Sequence, residues 1–167
     1  MTCQTAMLEE FVSVGPRQTI GDALGLLATK CIRWAPVLDA DGRFLGHFAY
    51  SDVLAKLLPG PLSLDSQSLL GAHLRLDYML DADSEVAKEL HALLPVPIED
   101  MMEGNTIVVR PTTPLWEGIR LLVLHGGPLP VVEEDSGKLL GLLSVQSATI
   151  ALMKAFGVPT PDDSSGN

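Results

Sequence analysis

Aromatic residues are scarce in this chain: four Phe, two Trp and two Tyr make up 5% of its 167 residues. A sandwich built around aromatic anchors is therefore not expected. Leu, Val and Ala carry most of the 47% hydrophobic content, which suits helices packed on sheets. Cysteine is nearly absent too. Cys3 and Cys31 have no Cys-x-x-Cys spacing, so both are read as free thiols in a reducing compartment rather than as a disulfide framework. Cys31 lies in an apolar stretch and is expected to be packed rather than reactive. Cations are outnumbered, 11 Lys and Arg against 21 Asp and Glu, giving a net charge of −10. Nucleic-acid backbones are repelled by such a surface, so no nucleic-acid partner is expected. A local pocket for a phosphorylated small molecule remains compatible with it.

Long apolar runs are missing: none approaches the ~18 residues of a membrane span, and no membrane partner is expected. The opening MTCQTAMLEEF lacks a basic start followed by an apolar core, so it does not read as a signal peptide, and a cytoplasmic protein is expected. Catalytic motifs are also lacking. His125-Gly126-Gly127 resembles an esterase oxyanion loop, but no Gly-x-Ser-x-Gly elbow accompanies it, and it reads as a helix end with glycines. His47, His73, His91 and His125 form no His-x-x-x-His pair, so no metal site is expected. No phosphate loop of the Gly-x-x-x-x-Gly-Lys-Ser/Thr type occurs either. No cofactor and no enzymatic activity are expected.

What the chain does contain is itself, twice. Ile20, Leu24 and Leu27 correspond to Leu115, Ile119 and Leu122; Ala35-Pro36-Val37-Leu38-Asp39 to Leu129-Pro130-Val131-Val132-Glu133; and Gly42-Arg43-Phe44-Leu45-Gly46 to Gly137-Lys138-Leu139-Leu140-Gly141. The offset stays at 94 or 95 residues, the signature of an internal repeat. Each copy begins with a short strand, 11–14 or 106–109, broken by Pro16 or Pro111. A helix follows, with Thr19 or Thr113 as N-cap and an apolar spacing of three and four that buries one face. A strand then starts near Pro36 or Pro130. Asp41-Gly42 and Ser136-Gly137 make hairpin turns into strands 44–49 and 139–144. Helices at 52–58 and 148–156 close the copies. One copy alone exposes much apolar surface; two packed sheet to sheet share a core. Between them, Pro59-Gly60-Pro61 stops a helix, and residues 84–94 form an additional one ended by Pro95 and Pro97. The expected division is 6–58, a linker 59–95, 96–156, and a loose tail 157–167.

The stretches APVLDADGRFLGHFAYSDVL (35–54) and LPVVEEDSGKLLGLLSVQSATI (129–150) resemble the cystathionine-beta-synthase (CBS) domain pair, or Bateman module. The resemblance implies a mixed α/β fold of tandem β-α-β-β-α repeats with pseudo-two-fold symmetry. It implies a regulatory module that senses an adenosine derivative (AMP, ADP, ATP or S-adenosylmethionine) in a cleft between the two motifs. It also implies a homodimer. With no catalytic or transport domain read in the sequence, the expected target is a separate, unidentified protein, the alternative being that the chain is a fragment. The alternative is a dimerisation scaffold with degenerate sites and no physiological ligand; the apolar closing helix 148–156 suggests a partner surface.

Carried onto this sequence, the resemblance makes Asp52 the residue that takes the ribose hydroxyls. An ionised carboxylate accepts two charge-assisted hydrogen bonds from a vicinal diol, and the first turn of a helix favours an anion. The competing reading of Asp52 is a plain helix cap. Ser51 beside it is a candidate for a further hydroxyl contact. The resemblance places the nucleobase along Arg33, Trp34 and Ala35, just before Pro36: Arg33 to read a di- or triphosphate, Trp34 to stack on adenine. Their competing readings are a solvated charge and a core or interface ring. Copy one carries Ala49 where the pattern has Ser or Thr. Copy two carries Ser144 there but Ser147 in place of the Asp, so the second site is expected to be degraded or altered.

Overall fold

The computed structural model describes residues 1–58, 82–102 and 104–160. The proline stop at 59–61, the linker up to residue 81 and the end of the expected tail lie outside them. The described residues form six helices and two short two-stranded sheets: α1 (Cys3–Ala6), α2 (Ile20–Thr29), β1 (Trp34–Leu38), β2 (Phe44–Ala49), α3 (Tyr50–Leu57), α4 (Ala82–Leu93), α5 (Leu115–His125), β3 (Leu129–Val132), β4 (Leu139–Leu143) and α6 (Val145–Ala155). This is the mixed α/β repeat pattern expected of the chain.

Both hairpins turn on the glycine the sequence singles out. Gly42 and Gly137 take positive φ, 79° and 70°, a conformation that costs glycine nothing. In the first turn the Asp39 carboxylate also accepts the N–H groups of Asp41 and Arg43 at 2.9 and 2.8 Å. β3 and β4 pair antiparallel, Leu129 opposite Leu143 and Val131 opposite Gly141, with an irregularity before Val132 opposite Leu139. Leu139, Gly141 and Leu143 alternate inward along β4.

The strands expected at 11–14 and 106–109 shrink to single bridge residues, Val14 and Val109. Prolines explain this. Val109 donates to the Pro130 carbonyl and accepts from the Val132 N–H, both at 2.9 Å, in a parallel bridge to Val131. The next rung on one side needs an N–H from Pro111 and on the other an N–H from Pro130, and neither exists. Pro16 and Pro36 hold the same positions in the first copy.

Helix ends refine the sequence reading. Thr19 caps α2 as expected, accepting the Asp22 N–H at 3.1 Å. Thr113 does not cap α5: its hydroxyl instead accepts the Arg110 N–H at 3.0 Å, and Pro114 stands at the cap. α3 and α6 start two to three residues earlier than the apolar periodicity indicates, at Tyr50 and Val145. α5 ends on Gly126, at φ 72°. α6 ends with Gly157 at φ 67°; the Val158 N–H reaches back to the Met153 carbonyl at 2.8 Å and the Gly157 N–H to that of Lys154 at 3.4 Å. Beyond this glycine turn, Thr160 is buried.

The chain divides into two compact units, residues 1–13, 36–46 and 104–167, and residues 14–35 and 47–103. In the first, Cys3, Ala6, Val109, Leu115, Leu122, Leu129, Val131, Leu143 and Ala148 make one buried cluster. The tips of the two hairpins also meet there: Phe44 N–H donates to the Gly137 carbonyl and Leu139 N–H to the Gly42 carbonyl, two sequence-equivalent bonds of 3.0 and 3.1 Å. In the second, Ile20, Ala23, Leu27, Ala35, Phe48, Val53 and Ile98 are buried.

The repeats exchange their leading segments. Residues 1–8 pack with the second copy: Cys3 N–H donates to Thr113, Leu115 N–H to Met1, and Leu8 and Leu142 bond each other both ways. Residues 94–99 pack with the first copy: Ile20 N–H donates to Val96, Gly21 N–H to Leu94, and Ile98 N–H to Gln18. The bridges Thr2–Pro114 and Thr19–Pro97 are equivalents of one another. Helix α1 is one consequence that the repeat comparison does not reveal. Its Cys3 is the buried cysteine, and burial pushes its thiol pKa up. Cys31, expected to be packed, is exposed instead, because it lies past the end of α2 at φ 53°, where the chain reverses.

Candidate ligand-binding site

Alternation along β2 sends Phe48 fully inward and its neighbour His47 to the other side, beside Trp34 of β1. The two rings stack, centroids 5.6 Å apart and planes 15° from parallel. At the end of β2 the chain passes directly into α3. The Tyr50 N–H donates to the Arg33 carbonyl at 3.4 Å and the Tyr50 hydroxyl to the Leu24 carbonyl at 3.4 Å, which ties the start of α3 to the base of β1 and to α2.

Asp52 stands in the first turn of α3. Its Oδ2 accepts the Ala49 N–H at 2.8 Å, and His47 Nε2 lies 3.8 Å from the same oxygen. The capping role is therefore real. It occupies one carboxylate oxygen; among the described residues nothing bonds Oδ1. The Asp52 side chain remains one-third exposed (33%), and His47 27%. Ala49, at the N-cap of α3, has no hydroxyl to return a bond to the helix, so the cap is made from the Asp52 side alone.

The second copy is built differently at the same place. Ser144 Oγ accepts the Ser147 N–H at 3.0 Å, while Ser147 Oγ accepts the Ser144 N–H at 2.9 Å and donates to the Ser144 carbonyl at 3.2 Å. The two serines close a reciprocal capping box, and Ser147 is buried. Their polar capacity is largely spent on the helix end. The difference between the copies is thus one of supply: an anchored carboxylate with an oxygen to spare against a pair of hydroxyls bonded to each other.

Of the residues singled out from the sequence, Trp34 and Asp52 are brought together, with His47 between them. Trp34 is half-buried and already spends one ring face on His47. Arg33 is exposed and contributes its carbonyl to the start of α3. Ala35 and Pro36 are buried in β1, and Ser51 is exposed on α3. Ser144 and Ser147 belong to the other compact unit. Sequence reasoning set His47 aside with the non-metal histidines. The available signal was its place in β2, one residue before the inward Phe48 and five before Asp52.

Comparison with known proteins follows the repeat. The CBS domain family matches residues 4–59 and 98–154. An uncharacterised protein of Methanocaldococcus jannaschii, MJ1426, is 29% identical over 134 residues, covering 74% of each chain. The chloroplastic CBS domain-containing protein CBSX2 of Arabidopsis thaliana is 31% identical over 132 residues, covering 78% of this chain and 54% of the plant protein, about half its length. The crystal structure of CBSX2 in complex with AMP superposes with a TM-score of 0.66 at 26% identity, covering 93% of this chain and 98% of that one.

Proposed function

The chain belongs to the CBS domain family, and on that premise we propose that it is a regulatory module whose first repeat binds an adenosine derivative through Asp52. The observation that carries this reading is the half-satisfied carboxylate. Oδ2 is pinned by the Ala49 N–H, which fixes the side chain, while Oδ1 is left to accept from a ribose diol. Trp34 lies within reach of the same histidine and offers a ring for the base. Ser51 and Arg33 are both exposed, and in this reading they supply a hydroxyl and a phosphate contact. The AMP complex of CBSX2 supports the choice of ligand class. Ser144 and Ser147, spent on each other, leave the second repeat a poor site. Bound ligand would act by shifting the populations of conformations that a separate target protein reads.

Calorimetry with AMP, ADP, ATP and S-adenosylmethionine tests this. Losing charge-assisted hydrogen bonds of about 1.5–3 kcal/mol weakens binding roughly 10- to 150-fold. Asp52→Ala should therefore lose measurable heat with whichever compound binds the parent chain. Silence from all four with the parent chain overturns the reading.

A second reading, a dimerisation scaffold, is favoured by the exposed apolar side chains Trp116, Val123 and Leu124 on α5 and Val145 on α6. Size-exclusion chromatography with light scattering tests it: a monomer at high concentration overturns it.

A further inference from the structure

Arg43 and Lys138 hold equivalent positions in the two repeats, both within the first compact unit, and they form an antiparallel bridge with each other. The bonds that flank them, Phe44 N–H to the Gly137 carbonyl and Leu139 N–H to the Gly42 carbonyl, make them a non-hydrogen-bonded pair. That is the closer of the two antiparallel pairings, with Cα atoms about 4.5 Å apart and both side chains on one face. Their own backbone groups are held inside their own turns. Arg43 N–H donates to Asp39 Oδ1 at 2.8 Å, and the Arg43 carbonyl accepts the Asp39 N–H at 3.0 Å. Lys138 N–H donates to Ser136 Oγ at 3.1 Å, and the Lys138 carbonyl accepts the Glu133 N–H at 2.9 Å. Two cationic side chains thus leave a fixed frame side by side.

Like charges directly opposite one another across a strand pair repel, and the neighbouring acids do not answer these two. Both side chains are exposed, and neither is in an ion pair among the described residues. The acids of the same turns are engaged elsewhere. Asp39 holds the N–H groups of its own turn, Glu133 accepts the Ser136 hydroxyl at 2.5 Å, and Glu134 pairs with Arg110 at 2.6 Å. Asp41 and Asp135 are exposed and pair with neither cation. In a chain with 21 Asp and Glu against 11 Lys and Arg, the junction of the hairpins sets two of the scarcer charges against each other.

We propose that Arg43 and Lys138 form an anion site for a compact phosphoryl group of the pyrophosphate class, which bridges the two hairpins. A guanidinium offers a planar fork to two phosphoryl oxygens and an ammonium offers a point charge. One anion held by both turns their repulsion into a shared attraction. Arg43 belongs to the first repeat and Lys138 to the second, so the bound anion fastens the junction between their hairpins. The site shares no residue with the Asp52 reading and does not depend on it. An acidic peptide is the poorer occupant, because its length would bring it against Glu133, Glu134 and Asp135, whereas a small anion sits between the two cations.

Amide chemical shifts of the full chain, followed by NMR as pyrophosphate is added, test this. Divalent cations are left out, and ionic strength is held constant with sodium chloride. Saturable shifts are expected at Arg43, Phe44, Lys138 and Leu139, with slower hydrogen exchange at the Phe44 and Leu139 amides, whose bonds join the hairpins. Arg43→Gln and Lys138→Gln should each weaken the apparent affinity about two- to fivefold. Lys138→Arg should keep it, and the double glutamine variant should show no saturation. Phosphoryl groups come free or on a nucleotide, so ADP, added to Asp52→Ala, is the second arm. Saturation at these amides with ADP alone assigns the anion to a nucleotide's phosphate chain; saturation with pyrophosphate assigns it to the free anion. Shifts that fail to saturate with both anions, that sodium chloride alone reproduces, or that persist in the double variant overturn the proposal. Loss of the response in Arg33→Gln overturns it too, by placing the anion at the candidate ligand site. None of these outcomes decides the Asp52 reading, which calorimetry tests separately.

Discussion

Gly118 and Gly25 both sit inside helices, and the same substitution at each should have opposite effects. A Cβ on Gly118 in α5 would lie 2.6 Å from Cys3 Sγ and 2.7 Å from Leu143 Cδ2; one on Gly25 in α2 would meet nothing within 4 Å. Both neighbours of Gly118 are fully buried, so neither has an open direction in which to move. The equivalent of Gly118 in the first copy is Ala23, so the helix itself accepts a methyl there; the seated Cys3 is what forbids it in the second. Alanine gains about 1 kcal/mol over glycine in a helix interior at either place. Overpacking subtracts about 1–3 kcal/mol at Gly118 alone. The gap between the two variants is therefore about 1–3 kcal/mol, or roughly 2–4 °C of melting temperature per kcal/mol for a chain of this size. Urea unfolding followed by circular dichroism, compared at equal m-value, measures it. Adding Cys3→Ala to Gly118→Ala should recover part of the loss, a coupling that a double-mutant cycle isolates. If Gly118→Ala proves as stable as Gly25→Ala, the packing of α1 against α5 and β4 is misread.

Other outcomes follow from the same contacts. Ser147→Ala removes half of the reciprocal cap of α6 and should cost about 1 kcal/mol, read in the same urea assay; no loss would mean the box contributes nothing. A Cβ on Gly141 would lie 2.5 Å from the Leu8 carbonyl; Gly141→Ala should break the Leu8–Leu142 bonds and raise hydrogen exchange at both amides. Iodoacetamide should label Cys31 quickly in the native protein and Cys3 only after denaturant is added, as mass spectrometry of the peptides would show. Burial raises the Cys3 pKa, so Cys3 should stay unlabelled in the native protein as the pH is raised; equal labelling of both would contradict the burial.

The repeat, the two hairpins and the additional helix were legible because they are local: glycine turns, proline breaks and apolar spacing act within a few residues. Thr19 was readable as a cap for the same reason. Thr113 failed as its counterpart because Pro114 follows it and its hydroxyl turns back to Arg110. Cys31 looked packed from its apolar neighbours, but the chain reverses there. Asp52 was singled out through its place in the pattern, and its capping bond to the Ala49 N–H became visible only with the backbone traced. His47 was not singled out because its contacts are with a cross-strand ring and a helix turn, neither of which is written in the residues beside it. The exchange of leading segments was equally hidden, since a repeat in sequence does not say which copy a segment joins.

That exchange bears on how this protein can be cut. A scissor placed anywhere between the two motifs would send each fragment off without its own lid and carrying the other's. Neither piece would be expected to hold itself together, yet the two mixed in one tube would carry every surface needed to find each other again.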